Sequence, residues 1–171
     1  MAKQKNKRRQ FSSHRWVVLA AFIAIGAGIL CYDMLRPDAY TLQGDKITWQ
    51  NANKQWRLVN FFAPWCAPCL REIPALNALN SRVTNKVKIY GVSFDPKTAT
   101  ELTTLVDNLD IQFDVIVVDD ATVFPMPYPK YLPATYLISP QGKVAASLFG
   151  EQTEQTVADA LAKQGIGLPS R

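Results

Sequence analysis

The sequence predicts an α/β domain in which strands alternate with helices, preceded by one apolar segment. Three observations carry this. Short apolar runs bounded by turn residues recur at 56–62, 87–94, 114–118 and 134–138, as buried strands do. Between the first three runs, Leu70, Ile73, Leu76 and Leu79, and then Leu102, Leu105, Val106 and Leu109, fall at helical spacing. The chain closes on a hairpin pattern and a last helical stretch, an order that packs as a sheet covered by helices.

The residues ahead of the domain explain the charge. The net +5 averages two unlike parts. Residues 1–15 hold six cations (Lys3, Lys5, Lys7, Arg8, Arg9 and Arg15) and no acid, whereas the rest has thirteen Lys/Arg against fourteen Asp/Glu. Basicity belongs to a tail, which argues against nucleic acid as a partner. Trp16 to Tyr32 follows, seventeen residues without a charge. As a helix it is about 25 Å long, slightly short of a ~30 Å hydrocarbon core but within the tolerated range. With a positive flank before it, this run is expected to be an uncleaved signal anchor whose N-terminus is cytoplasmic. The expected organisation is a basic tail at 1–15, a transmembrane helix at 16–32, a linker with Pro37 at 33–41, and a domain at 42–171. That domain would lie in the periplasm, on a bacterial inner membrane. A cleaved signal peptide needs a small-x-small site, and Leu30-Cys31-Tyr32-Asp33-Met34 has none. Lipid attachment at Cys31 is disfavoured by the bulky Leu30. Arg8-Arg9-Gln10-Phe11 is only partly like a twin-arginine signal.

Within the domain, Gln43-Gly44-Asp45 and Asn51-Ala52-Asn53-Lys54 are turns around a short strand, Lys46–Trp49. Trp56–Phe62 is a buried strand. The helix from Leu70 to Ser81 contains Pro74, which removes a bond to the Leu70 carbonyl and is expected to kink it. Val87–Phe94 is a strand ending at Asp95-Pro96, Thr98 to Leu109 an amphipathic helix, and Asp114–Val118 a strand. Phe124 to Pro133 carries prolines at 125, 127, 129 and 133, which exclude helix and central strand. Its Pro125–Tyr131 part either shapes a substrate groove or is a rigid connector. Ala134–Ile138 and Lys143–Phe149 form a hairpin about Ser139–Gly142, and Thr153–Lys163 is the last helix.

Cys66-Ala67-Pro68-Cys69 falls where a strand gives way to the first turn of a helix. Backbone N–H groups there have no partner inside the helix, and they carry partial positive charge. Sulfur at that point is stabilised as thiolate, the nucleophile of disulfide exchange, with a pKa expected below the roughly 8.5 of free cysteine. Cys69, one turn further in, is placed to attack a mixed disulfide on Cys66. Pro68 suits the first turn, where its missing N–H would have been unpaired. The spacing is also that of half a zinc site. The remaining cysteine, Cys31, and the single histidine, His14, lie in or before the apolar segment, so no metal is expected. A CxxC disulfide closes too small a loop to stabilise much, and a working dithiol explains it better.

With motif and element order together, residues 42–164 resemble thioredoxin, and more closely the membrane-anchored TlpA/ResA/CcmG-type thiol–disulfide oxidoreductases. Val59 to Cys69 resembles the family's strand and active-site motif. Cys69-Leu70-Arg71-Glu72-Ile73-Pro74 is similar to its C-x-x-E-x-P continuation, and Leu132-Pro133-Ala134-Thr135 to its cis-proline loop. The resemblance implies a thioredoxin-like fold, a central mixed sheet flanked by helices, with Cys66 attacking, Cys69 resolving and no cofactor. It implies a cis Pro133 packed against the disulfide; the plain alternative is a trans loop proline. Glu72, three residues after Cys69 and so on roughly the same side, is either a proton carrier for sulfur or a solvated carboxylate. Thioredoxin has a buried Asp where this chain has Asn60, which puts more weight on Glu72. Trp65 either shields the disulfide or is plain core packing.

The resemblance also gives a direction. Oxidases and isomerases resemble one another in placing His between the cysteines, and Ala67-Pro68 has none, which implies a reducing site. A reductant in an oxidising compartment must be recharged, by resemblance through a membrane thiol–electron donor of the DsbD or CcdA type. The implied substrates are disulfides of exported proteins, among them the oxidised CxxCH cysteines of apocytochrome c. The alternatives are a disulfide oxidase or isomerase on the same fold, and a Cu(I)-handling thiol protein. Relatives of the latter kind resemble one another in a CxxxC and a distal His, and no His follows residue 14 here.

Overall fold

The computed structural model describes residues 5–50, 53–83 and 85–167, with side chains throughout except those of 5–15 and 33–35. The side chains of the tail's cations, His14 and Asp33, and the turn residues Asn51 and Ala52, lie outside the described residues. The elements are α1 (Lys5–Leu35), β1 (Ala39–Thr41), β2 (Lys46–Ile47), β3 (Trp56–Phe62), α2 (Ala67–Arg82), β4 (Val87–Ser93), α3 (Ala99–Asn108), β5 (Asp114–Val117), β6 (Ala134–Ile138), β7 (Val144–Phe149) and α4 (Glu154–Ala162).

The chain divides into two units, Met1–Arg36 and Pro37–Arg171. In the first, every side chain from Trp16 to Tyr32 is exposed. Among the described residues no helix is long and apolar enough to cross a membrane.

The second unit is a seven-stranded mixed sheet in the order β2-β1-β5-β4-β3-β6-β7. Strands β3, β4 and β5 are parallel neighbours, and β6 and β7 add antiparallel on the other side of β3. Right-handed crossovers between strands that advance in one direction put α2 and α3 on one face. The core on that face accordingly gathers Ile73, Leu76 and Leu79 of α2, Leu102 of α3, and Val157 and Leu161 of α4 over Leu58, Phe62 and Ile89 of the sheet. The opposite face, with Val59, Phe61, Tyr90, Val92 and Tyr136, is covered by Trp49, Phe124 and Met126 from irregular segments. The proline-rich stretch 118–133 thus seals a sheet face without helix or strand. Helix α3 starts on a reciprocal capping box, Thr98 with Glu101.

Two elements extend into the expected linker 33–41. Helix α1 continues to Leu35, and Ala39–Thr41 is a strand paired with β2 and β5. Three residues in buried–exposed–buried order are too few to show a period in sequence. The expected strand Lys46–Trp49 is shorter, because Trp49 turns away: its backbone N–H donates to Asp38 Oδ2 (2.7 Å) and its indole to the Val123 carbonyl (2.6 Å). Helix α2 continues as one element through Pro74 to Arg82.

One glycine of the core is fixed by space. A Cβ on Gly91 of β4 would meet Phe113 at 3.0 Å, Phe62 at 3.1 Å and Val115 at 3.3 Å. Gly91→Ala is expected to destabilise by about 1–3 kcal/mol through overpacking, read as a lower urea midpoint with an unchanged slope.

Candidate active site

The buried strand β3 ends at Phe62, and Ala63-Pro64-Trp65 turns the chain into α2. The Cys66 N–H donates to the Ala63 carbonyl (3.1 Å), and its own carbonyl accepts from Leu70 N–H (3.1 Å). Cys66 is the N-cap of α2, with extended backbone, and Pro68 follows within the first turn. Cys66 Sγ accepts a hydrogen bond from the Cys69 N–H (3.3 Å). This is the contact that favours negative charge on that sulfur. Cys66 and Cys69 form a disulfide. Cys66 retains 5% of its surface and Cys69 none, so an incoming sulfur reaches Cys66 first. Cys31 lies in the other unit as an exposed free cysteine.

Strand β6 brings the second half of the site. Its register places Ala134 opposite Phe61 and Thr135 opposite Asn60, so Pro133 falls level with Phe62, the last residue of β3, and Leu132 just beyond it, where the cysteine segment begins. The Leu132–Pro133 bond is cis, and the Pro133 carbonyl accepts from Gly150 N–H (2.9 Å). Leu132 packs at the border of both cores, one of which contains both cysteines.

Glu72, one turn beyond Cys69, is 1% exposed, which removes the solvated alternative. Its Oε1 accepts from Asn60 Nδ2 (2.7 Å) and its Oε2 from the Gln152 N–H (2.9 Å). Burial pushes its pKa up from 4.5 to about 7, against the two hydrogen bonds, and the nearby Glu151 charge adds to the rise. Asn60 is fully buried and also donates to Thr135 Oγ1 (3.0 Å). Outside this cluster, Arg71 pairs with Glu151 at the surface.

Trp65 is 64% exposed, so it is not core packing. Its indole donates to Asp95 Oδ2 (2.7 Å), and its ring stands edge-on to Phe94. The Tyr128 hydroxyl donates to the Phe94 carbonyl (2.7 Å), and its ring meets Phe61 and Phe94. The proline-rich loop is therefore tied to the end of β4 beside the cysteine segment. Sequence reasoning gave Asp95 and Gln152 no place in the site, and named Tyr128 and Thr135 only as members of the proline-rich loop and the cis-proline motif. Their contacts span 30 or more residues of chain, and no local spacing announces them.

Reversible opening of the Cys66–Cys69 bond is the chemistry this arrangement supports, and with this sheet it defines a thiol–disulfide oxidoreductase of thioredoxin-like fold. Residues 33–147 match the AhpC/TSA family, and the chain belongs to that family. It is 29% identical over 123 residues to a thiol-disulfide oxidoreductase ResA of Bacillus cereus, covering 71% of this chain and 70% of that protein. It is 27% identical over 123 residues to the thioredoxin-like protein YneN of Bacillus subtilis, covering 71% and 72%. Among solved structures, StoA from Bacillus subtilis superposes with a TM-score of 0.61 at 17% identity, over 71% of this chain and 92% of that one. MTB dsbF superposes with a TM-score of 0.59 at 20% identity, over 73% and 92%.

Proposed function

We propose that this protein is a membrane-anchored, extracytoplasmic reductant of disulfides in exported proteins. The observation that carries the chemistry is the buried Glu72 carboxyl one turn behind a fully buried Cys69. In the reduced protein the Cys66 thiolate attacks one sulfur of the substrate disulfide, forming a mixed disulfide and releasing the substrate's other sulfur as a thiolate. Glu72 then takes the proton of the Cys69 thiol, and the Cys69 thiolate attacks Cys66 Sγ. The Cys66–Cys69 bond forms, and the substrate leaves as a dithiol once its thiolates take up protons, two electrons having passed from protein to substrate.

Ala67-Pro68 supplies no positive charge to hold the Cys66 thiolate, which supports a reducing couple rather than an oxidising one. Each turnover leaves the protein oxidised, so a membrane thiol–electron donor of the DsbD or CcdA type is the proposed source of electrons. Oxidised CxxCH cysteines of apocytochrome c are a proposed substrate. The uncharged run Trp16–Tyr32 behind a basic flank supports the proposed single-pass anchor in a bacterial inner membrane, N-terminus in the cytoplasm and domain in the periplasm.

The reduction potential of the Cys66–Cys69 couple tests the direction. The expected value lies near or below the roughly −270 mV of thioredoxin. A value near the roughly −120 mV of a strong oxidant would move the protein to disulfide formation.

A further inference from the structure

Asn60 Oδ1 is buried and has no hydrogen-bond partner among the described residues, while Nδ2 of the same amide serves both Glu72 Oε1 and Thr135 Oγ1. A buried acceptor left unpaired costs about 1–3 kcal/mol, so a fixed amide in this place is poorly explained. A reversible one is well explained. Resting on the proton-carrier role of Glu72, we infer that Asn60 is a positioning residue whose side-chain amide turns over each time Glu72 gains or loses its proton.

The two oxygens of the carboxyl group face unlike donors. Oε2 faces a backbone N–H, that of Gln152, which cannot become an acceptor. Oε1 faces a side-chain amide, which can. A proton on Oε1 would point at the Asn60 NH2 group, donor against donor. Turning the amide by half a circle removes the conflict, because Oδ1 then accepts from Glu72. Thr135 follows without moving, since its hydroxyl both accepts and donates. Either orientation leaves one end of the amide unpaired, so the proton on Glu72 decides between them. The other groups around Glu72 offer no such reversal. Cys69 and Arg71 flank it on α2, the β7–α4 segment brings Glu151 and Gln152, and β3 and β6 bring Asn60 and Thr135.

The consequence for catalysis is that both protonation states of the carrier are hydrogen-bonded, so the carboxyl group stays in place while its proton comes and goes. Side-chain amide signals of Asn60 in the oxidised chain, followed by nitrogen–proton NMR from pH 5 to 9 beside the Glu72 carboxyl carbon, test this. Both are expected to titrate with one midpoint, and Glu72→Gln is expected to hold the Asn60 signals at one position throughout. Asn60→Ala, which removes a hydrogen-bond partner from both forms of the carboxyl group, is expected to leave the Glu72 midpoint close to the wild-type value, whereas loss of a fixed donor to the carboxylate alone would raise it. A Glu72 carboxyl that titrates near neutrality beside Asn60 signals that do not move would overturn the inference and leave the proposed function standing. A Glu72 that stays ionised down to pH 5 would overturn both the inference and the proton-carrier role on which it rests.

Discussion

Cys66→Ala is expected to abolish disulfide reduction, and Cys69→Ala to leave the protein joined to its substrate. The two cysteines differ in access, not in spacing. Of the two, only Cys66 retains any exposed surface, and it alone caps the helix and receives the Cys69 N–H. Without Cys66 no thiolate meets the substrate, and turnover should fall to the uncatalysed rate. Without Cys69 the first exchange still proceeds, because Cys66 keeps its place at the helix terminus, but nothing inside the protein can break the mixed disulfide. The measurement is mass spectrometry of each reduced variant after one equivalent of a disulfide-bearing protein substrate. The Cys69→Ala variant should carry one substrate mass that a small thiol removes. The Cys66→Ala variant should carry none. An adduct on Cys69 in the latter would mean that the buried sulfur is reachable and that the division of labour is wrong.

The elements of the domain were legible because their periods are long enough to read. Trp56–Phe62, Val87–Ser93 and Ala134–Ile138 are short, mainly apolar runs, and the leucines of α2 and α3 recur on one helical face. Prolines at every second position between 125 and 129 excluded regular structure there, as observed. Ala39–Thr41 was hidden because three residues carry no period, and it is held by partners at Lys46 and Val117. The site divides in the same way. Cys66, Cys69 and Pro68 announce themselves by spacing at a strand–helix junction. That Glu72 is buried depends on Asn60 and Gln152, 12 residues before and 80 after it. That Trp65 stands at the surface depends on Asp95, 30 residues on. Both are facts of the sheet and its neighbouring loops, invisible to any local pattern.

Glu72→Gln is expected to slow reduction and stabilise the fold, and both effects have one cause. A carboxyl group that takes the Cys69 proton must be ionised when the mixed disulfide is resolved. The wild-type resolving rate should therefore rise through about pH 7, the value to which burial pushes Glu72. Glutamine cannot accept that proton, and loss of a positioned base costs about 10²–10⁴-fold. Resolution in the variant should be slow and nearly level between pH 6 and 8, rising only as Cys69 itself ionises. The same elevated pKa makes the carboxylate a burden on the folded state. Glu72 keeps its proton up to 4.5 in the unfolded chain and up to about 7 in the folded one. In that window the folded chain holds more protons than the unfolded one, so stability falls as pH rises from about 4.5 to 7 and is level above. At pH 8 the cost is about 3 kcal/mol. Glutamine keeps the shape without the charge, and by turning the Asn60 amide it can donate to Oδ1. Urea unfolding should show the variant more stable than wild type at pH 8 and indistinguishable from it at pH 4. A constant difference at both pH values would mean that packing, and not ionisation, separates the two proteins. The proton carrier would then be some group other than Glu72.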